Sequence, residues 1–207
     1  MPACNAVGEG PDAIIYFVKL RLVYVGGKKT GTLIDPATRK VIATIPLGGQ
    51  PEYPQTNAES GGIFQNLVDS SEVVVIDPPK QVVVKRYSLA PGPRPTGLAF
   101  DAVNRRLFST CSGRLIVLNA DTGAIMAVVP IGYLTDGVGY DPGLRRIYIA
   151  NGIVTMTVIR QDSADRYRVL EDAPTRFGGH SLVVDPGTHR IYVAHFGCIT
   201  VFEPVVQ

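Results

Sequence analysis

Five positions carry the side chains best suited to chemistry: Asp12, Glu52, Thr96, Asp136 and His180. Each stands five residues ahead of a recurring turn position and directly after Pro, Thr or Gly. Three carboxylates, one hydroxyl and one imidazole brought to one point could hold a cation or a cationic ligand, because hard ions take several convergent oxygen donors. All five are therefore candidate ligand-binding residues. Asp12, Glu52 and Asp136 are the candidate metal ligands, with calcium the divalent cation in view. The same side chains could instead cap neighbouring backbone amides at loop ends.

Motifs for covalent chemistry are thin, and no catalytic residue is assigned. Gly179-His-Ser-Leu-Val183 begins like a nucleophile elbow, but Val183 stands where the closing Gly belongs. Gly27-Lys-Lys-Thr30 lacks the preceding glycine loop of a phosphate cradle and sits between two strand-like runs. His180, His189 and His195 have no metal-ligand spacing with the cysteines, and no C-x-x-C occurs.

The elements that must position the five residues are read most clearly from Pro95 to Gly132. Four apolar runs, Gly97–Phe100, Arg106–Thr110, Leu115–Leu118 and Ile125–Val129, are separated by polar turns rich in Asn, Asp and Gly. Such a meander cannot bury both its faces alone and must stack on copies of itself. The copies are present. Leu98-Ala-Phe-Asp101, Val138-Gly-Tyr-Asp141 and Leu182-Val-Val-Asp185 recur 40 and 44 residues apart. The same steps taken backwards reach Asn57 and Phe17, where the turn acid is lost. A second run recurs as Arg21-Leu-Val-Tyr-Val25, Arg106-Leu-Phe-Ser-Thr110, Arg146-Ile-Tyr-Ile-Ala150 and Arg190-Ile-Tyr-Val-Ala194. A period of about 40 with four short strands per unit predicts an all-β chain of β-propeller blades. In a propeller the first strand of each unit lines the axis, which would gather the five candidate residues at a central channel.

Ile147-Tyr-Ile-Ala-Asn-Gly152 and Ile191-Tyr-Val-Ala-His195, each followed by a Val-Thr-Val-Ile or Ile-Thr-Val-Phe strand, resemble the YVTN propeller repeat of YncE-like proteins. The turns Asp35-Pro-Ala-Thr-Arg-Lys40 and Asn119-Ala-Asp-Thr-Gly123 and the strand exits Ile45-Pro-Leu-Gly48 and Val129-Pro-Ile-Gly132 fit as well. The resemblance spans roughly residues 7 to 204. It implies a propeller that works mostly as a binding or scaffold module for a protein or small ligand, in a periplasmic or extracellular setting. Lactone-hydrolysing propellers also resemble this architecture, and they imply the alternative: a metal-dependent lactone or ester hydrolase using Asp12, Glu52, Asp136 and His180 around a metal-bound water. The family usually builds seven blades. This chain has five units, at 12–49, 52–92, 96–132, 136–175 and 180–204, in a single domain.

Two arrangements of the ends stay open. Unit five has three strands, while residues 2–8 look like an outer strand without a blade. The two could pair and close a five-bladed ring, with Cys4 opposite Ile199 and near Cys198, so that a disulfide is geometrically plausible. Otherwise the chain is an open arc of a seven-bladed type, whose exposed blade surfaces and edges invite self-association. Unit two should have a distorted first strand, because Pro51 and Pro54 cannot donate to a ladder. Arg160 to Arg166 reads as a longer projecting turn. The predicted core comprises Leu98, Phe100, Leu107, Val117, Ile125, Val138, Tyr148, Ile149, Val158, Leu182, Val184, Tyr192 and Val201.

Composition agrees with a compact domain: hydrophobic residues make up 45% and charged ones 18% of 207 residues, with 22 Gly and 16 Pro for turns. A formal charge of +2 gives no argument for nucleic acid. The basic residues at the first hairpin turns, Arg21, Arg105-Arg106, Arg145-Arg146 and His189-Arg190, share those turns with Asp101, Asp141 and Asp185, so an internally paired rim is expected. No apolar run approaches the roughly 18 residues of a membrane span. The first ten residues lack the basic start and apolar stretch of an export signal.

Overall fold

The computed structural model describes residues 6–205. Among the described residues the chain is all-β, with nineteen strands and no helix. The strands form five antiparallel sheets wound in chain order, four of four strands and one of three. These are β-propeller blades, as the repeat predicts. The sheets fall into two compact units, Met1–Ala90 and Pro91–Gln207.

The first unit holds two blades. Blade one comprises β1 (Ile14–Phe17), β2 (Leu22–Gly26), β3 (Thr30–Asp35) and β4 (Lys40–Pro46). Blade two comprises β5 (Pro51–Asn57), β6 (Gly62–Leu67), β7 (Glu72–Asp77) and β8 (Val82–Ser88). As the prolines require, the β5–β6 register shifts between Pro51 and Pro54. Period-2 alternation puts Ile15, Tyr24, Leu33 and Ala43 on one face of blade one. That face packs on Ile63, Leu67, Val74 and Ile76 of blade two. Tyr24 is fully buried, and its hydroxyl donates to Gln65 Oε1 at 2.9 Å, so the buried oxygen has a partner.

The second unit holds three blades. Blade three comprises β9 (Leu98–Asp101), β10 (Arg106–Cys111), β11 (Arg114–Asn119) and β12 (Ile125–Pro130). Blade four comprises β13 (Thr135–Asp141), β14 (Arg146–Asn151), β15 (Thr155–Ser163) and β16 (Arg166–Pro174). Blade five comprises β17 (Leu182–Val184), β18 (Ile191–His195) and β19 (Cys198–Phe202). Phe108 and Val117 of blade three pack on Val138, Ile147, Ile149 and Ile159 of blade four. Tyr148 and Val158 of blade four pack in turn on Leu182, Ile191 and Val193 of blade five.

The turn acids do two jobs. Asp101 Oδ1 accepts from the backbone amides of Val103 and Asn104, and Asp141 Oδ1 does the same for Gly143 and Leu144, which holds the hairpin turn. At the position where the acid is lost, Asn57 Oδ1 accepts from Glu59 and Ser60 amides instead. The second carboxylate oxygen reaches the next blade. Asp101 Oδ2 accepts from Gln161 Nε2 at 2.9 Å, and Asp141 Oδ2 lies 2.8 Å from His189 Nδ1.

Several expectations change. Ile125 and Val201 are exposed, and Phe100, Val184 and Tyr192 are only half-buried, whereas the other predicted core residues are buried. Ile125 begins a fourth strand, the outermost of its blade. Val201 and Tyr192 lie on a face of the last blade that no further sheet covers within the second unit. Arg160 to Arg166 is not a projecting loop: β15 and β16 run on as nine-residue strands with two register shifts, and Asp165 at their tip binds Arg106 of blade three at 2.7 Å. Residues 2–5 of the orphan strand, and with them Cys4 and its pairing to Cys198, lie outside the described residues. Residues 6–8 form no strand, and the Val7 carbonyl accepts from the Thr32 hydroxyl of blade one.

Candidate functional site

The five expected residues take different parts. In the second unit they link consecutive blades. The Thr96 hydroxyl donates to the Thr135 carbonyl at 2.9 Å, and Asp136 Oδ2 lies 2.7 Å from His180 Nδ1. Gly97 and Gly137 make this possible. A Cβ at Gly97 would sit 2.3 Å from the Asp136 carbonyl oxygen, and one at Gly137 would sit 2.6 Å from that of His180. Neither approach tolerates a side chain. In the first unit Asp12 is exposed and its amide donates to the Gly26 carbonyl, while the Glu52 carbonyl accepts from Gln65 Nε2 at 2.9 Å. Among the described residues, no group of three or more His, Cys, Asp or Glu side chains converges to suit a metal ion.

The basic turn residues have a conformational role. Arg21, Arg105, Arg145 and His189 all adopt positive φ, between 51° and 61°, at one repeat position, and Gly61 holds it in blade two. The arginine charges at these turns are largely paired, Arg105 with Asp121, Arg106 with Asp165 and Arg190 with Glu203, and His189 Nδ1 lies 2.8 Å from Asp141 Oδ2.

Burial shifts several groups. Desolvation alone would raise Asp101, yet hydrogen bonds from Asn104, Gln161 and Tyr140 outweigh it and hold the carboxyl below the usual carboxylate range. Burial pushes Tyr167 up to about 12 and Cys111 up to about 12, so neither ionises near neutrality. Cys111 is an inert core thiol rather than a nucleophile.

A different constellation stands out at the loop ends of the second unit. Tyr133, Leu134, Phe177 and Phe196 are between 64% and 78% exposed, and Ile153 and Val154 stand beside them in solvent. They sit on four segments, three of them joined by backbone bonds and the fourth, at Phe196, by a ring contact. Gly152 donates to the Leu134 carbonyl at 2.9 Å, Gly178 to the Gly152 carbonyl at 3.0 Å, and Thr175 to the Val154 carbonyl at 2.8 Å. The Phe177 and Phe196 rings lie 6.4 Å apart, centroid to centroid. The result is an apolar ledge on hydrogen-bonded turns, beside the Asp136–His180 pair in sequence.

Leu134 at φ 54° and Val154 at φ 44° are left-handed, which costs a branched side chain of order 1–2 kcal/mol. Val154→Gly should therefore raise the unfolding free energy by about 0.5–1 kcal/mol, the relief of strain exceeding glycine's added chain entropy. A urea melt that shows a loss instead would mean the valine makes contacts that outweigh its strain. The sequence signal for the ledge was available: aromatic and β-branched residues at turn positions, in Gly132-Tyr-Leu-Thr135, Gly152-Ile-Val154, Phe177-Gly178 and Phe196-Gly197, where polar residues are the rule.

A groove of about 370 Å³ between the outer strands of blades four and five is a second feature. Met156, Leu170, Ile191 and Phe202 line it, with Arg146 and Glu171 as polar members. Tyr148 also lines it, its hydroxyl buried and near the Arg146 side chain. Burial raises the Tyr148 pKa, and the nearby Arg146 cation partly opposes the rise.

No protein-family model matches the chain, and no curated protein matches it in sequence. Solved structures do. The chain is similar to a chain of the hydrazine synthase of Kuenenia stuttgartiensis at 13% identity and a TM-score of 0.63, covering 95% of this chain and 84% of that one. It is similar to a chain of a mitotic checkpoint complex at 13% identity and a TM-score of 0.78, covering 90% of this chain and 62% of that one. At such identity the likeness concerns the fold, and together with the five wound sheets it identifies the chain as a β-propeller.

Proposed function

We propose that the chain is a non-enzymatic binding or scaffold module, of the kind the YVTN-like repeat implies, and that its partner is a protein docking on the apolar ledge. One observation carries the reading: six large apolar side chains are held in solvent on neighbouring turns, five of them on turns joined by backbone bonds and two on left-handed backbone. Exposed apolar patches on soluble domains usually mark interaction sites, and strain kept at such a place fits a selected role. The chemistry-bearing residues support the same reading, since Asp101, Asp141, Asp136 and His180 are engaged in turn and blade links. The similar fold in a mitotic checkpoint complex, a multi-protein assembly, is consistent with protein binding.

The test pairs two variants. F177E/F196E is expected to melt within a few degrees of the parent, because both rings are exposed, and to lose a protein that co-purifies with the parent from its native cells. Asp136→Asn should keep that protein. Loss in both variants, or in neither, removes the ledge as the docking site.

A small ligand in the groove is a second reading, favoured by the mainly apolar lining of Met156, Leu170, Ile191 and Phe202 beside Arg146 and Glu171. The hydrolase alternative and its cation are tested on the same preparation by melts in calcium and in chelator. A rise in calcium that Asp12, Glu52 and Asp136 variants abolish would return those residues as a metal site, with lactone or ester hydrolysis as the activity to assay.

A further inference from the structure

The groove between blades four and five departs from the repeat at the positions that line it. In blades one, three and four an aromatic of the second strand pairs with an aliphatic of the third, which pairs with a residue of the fourth. The rows are Tyr24–Leu33–Ala43, Phe108–Val117–Ala127 and Tyr148–Val158–Glu171. In each row the aromatic packs on the next blade of its own unit.

The first two rows leave nothing unmatched. Tyr24 donates to Gln65 Oε1 of blade two, and Phe108 has no polar atom to satisfy. At the place of Gln65, directly after the second-strand aromatic, blade five has Val193, which offers no acceptor. Arg146 stands beside the Tyr148 oxygen, on the same face of β14 two residues away. A guanidinium only donates, however, so the phenol's own hydrogen is left without an acceptor, on a side chain 2% exposed. An unmatched buried donor costs stability, and a bound acceptor would recover it.

The fourth strand departs as well. Blades one and three carry Ala43 and Ala127, and blade two Lys85, where blade four has Glu171. The register shift between Val158 and Ile159 leaves Leu170 unpaired, and both Leu170 and Glu171 line the groove. Arg146 Nη2 donates to the Val205 carbonyl at 3.1 Å and, among the described residues, makes no ion pair. The groove therefore offers one cation and one unmatched O–H beside apolar walls from both blades, in a volume of about 370 Å³ that suits a small ligand. Its acids are Glu171, exposed on the outer strand, and Glu203, held by Arg190 at 2.7 Å. Two carboxylates in the lining disfavour an anion of more than one charge.

We propose that the groove binds a small monocarboxylate with an apolar body, the carboxylate accepting from the Tyr148 hydroxyl and the Arg146 guanidinium and the body lying against Met156, Leu170, Ile191 and Phe202. The inference rests on the reading of the groove as a ligand site and adds the class of ligand. It is independent of the ledge, which shares none of these residues.

The test titrates the isotope-labelled chain with 3-phenylpropionate and with its neutral amide, following backbone amide shifts. In the parent the acid is expected to bind at millimolar concentrations, about tenfold tighter than the amide, with shifts centred on β14, β16 and β19. Tyr148→Phe keeps the ring and removes the unmatched donor, so it should melt no lower than the parent while losing most of the preference for the acid. Arg146→Gln should abolish that preference, and inorganic phosphate should not displace the acid. Equal affinity for acid and amide in the parent, or a preference that survives both variants, overturns the carboxylate assignment and leaves the groove as a site for neutral ligands. Displacement by phosphate overturns it too, since charge alone would then be read. No groove shifts with either compound overturn the ligand reading of the groove as well.

Discussion

Truncating Phe108 to alanine is expected to lower the unfolding free energy by about 3–5 kcal/mol, the range for a large aromatic removed from a packed core. Phe108 is fully buried between blades three and four, with the Tyr140 ring at 5.2 Å and the Tyr167 ring edge-on at 5.9 Å. Both ring contacts are lost with it, beyond the area exposed. Tyr192 occupies the same repeat position and should lose only about 1 kcal/mol when measured in dilute solution, because its face is open. Urea melts of the two variants check the contrast. Equal losses would mean that the last blade is covered in the dilute chain and that its face assignment is at fault.

The second large effect is expected at Asp101. Its carboxylate is buried and takes hydrogen bonds from the Val103 and Asn104 amides, from Asn104 Nδ2 at 2.7 Å and from Gln161 Nε2 at 2.9 Å, with the Tyr140 hydroxyl 3.3 Å away. Asp101→Ala leaves several buried donors unmatched and should cost on the order of 3 kcal/mol. Asp101→Asn should cost less, since its carbonyl oxygen can still hold the turn. Protonation works in the same direction. Hydrogen bonding lowers the folded pKa of Asp101 beneath its unfolded value, so its contribution is complete above about pH 4 and disappears as pH falls through the folded value. Asp35, Asp77 and Asp185, lowered chiefly by Thr38, Lys80 and Thr188 side chains, act with the same sign. Unfolding free energies from pH 7 to pH 2 should therefore fall for the parent and fall less steeply for Asp101→Asn. Parallel curves would mean that Asp101 titrates alike in both states.

The fold was legible because the repeat writes the same physics several times. An apolar run ending in Asp101, Asp141 or Asp185 specifies a strand and the turn that ends it, and Asn57 keeps the turn after the acid is gone. The prolines of β5 announced its irregular register. What the pattern did not carry was which faces are covered. Phe108 and Tyr192 look alike in sequence, yet blade four buries the first, and no sheet of the second unit covers the second. A period-2 pattern gives two faces but not their neighbours.

The candidate site was legible only in part. Thr96, Asp136 and His180 do occupy equivalent first-strand positions, but what their spacing produces is a chain of neighbour-to-neighbour links at Thr135 and Asp136. The basic residues at the hairpin turns recur because one position is left-handed, a requirement that charge counting does not reveal. The ledge was missed for a similar reason. Its apolar residues are scattered over four short turns, each too brief to give a periodic signal, and only the backbone bonds among Leu134, Gly152 and Gly178 and the Phe177–Phe196 ring contact bring them together.

The claim that the ledge is the working surface is tested most directly by placing a photo-activated cross-linking residue at position 177 in native cells, with position 103 as a control. Val103 is more exposed than Phe177 but sits in a hairpin turn away from the stitched segments. The account predicts one discrete protein adduct at position 177 that disappears when Phe196→Glu is added, and no matching adduct at 103. The same adduct at both positions, or one at 177 that survives Phe196→Glu, would contradict it.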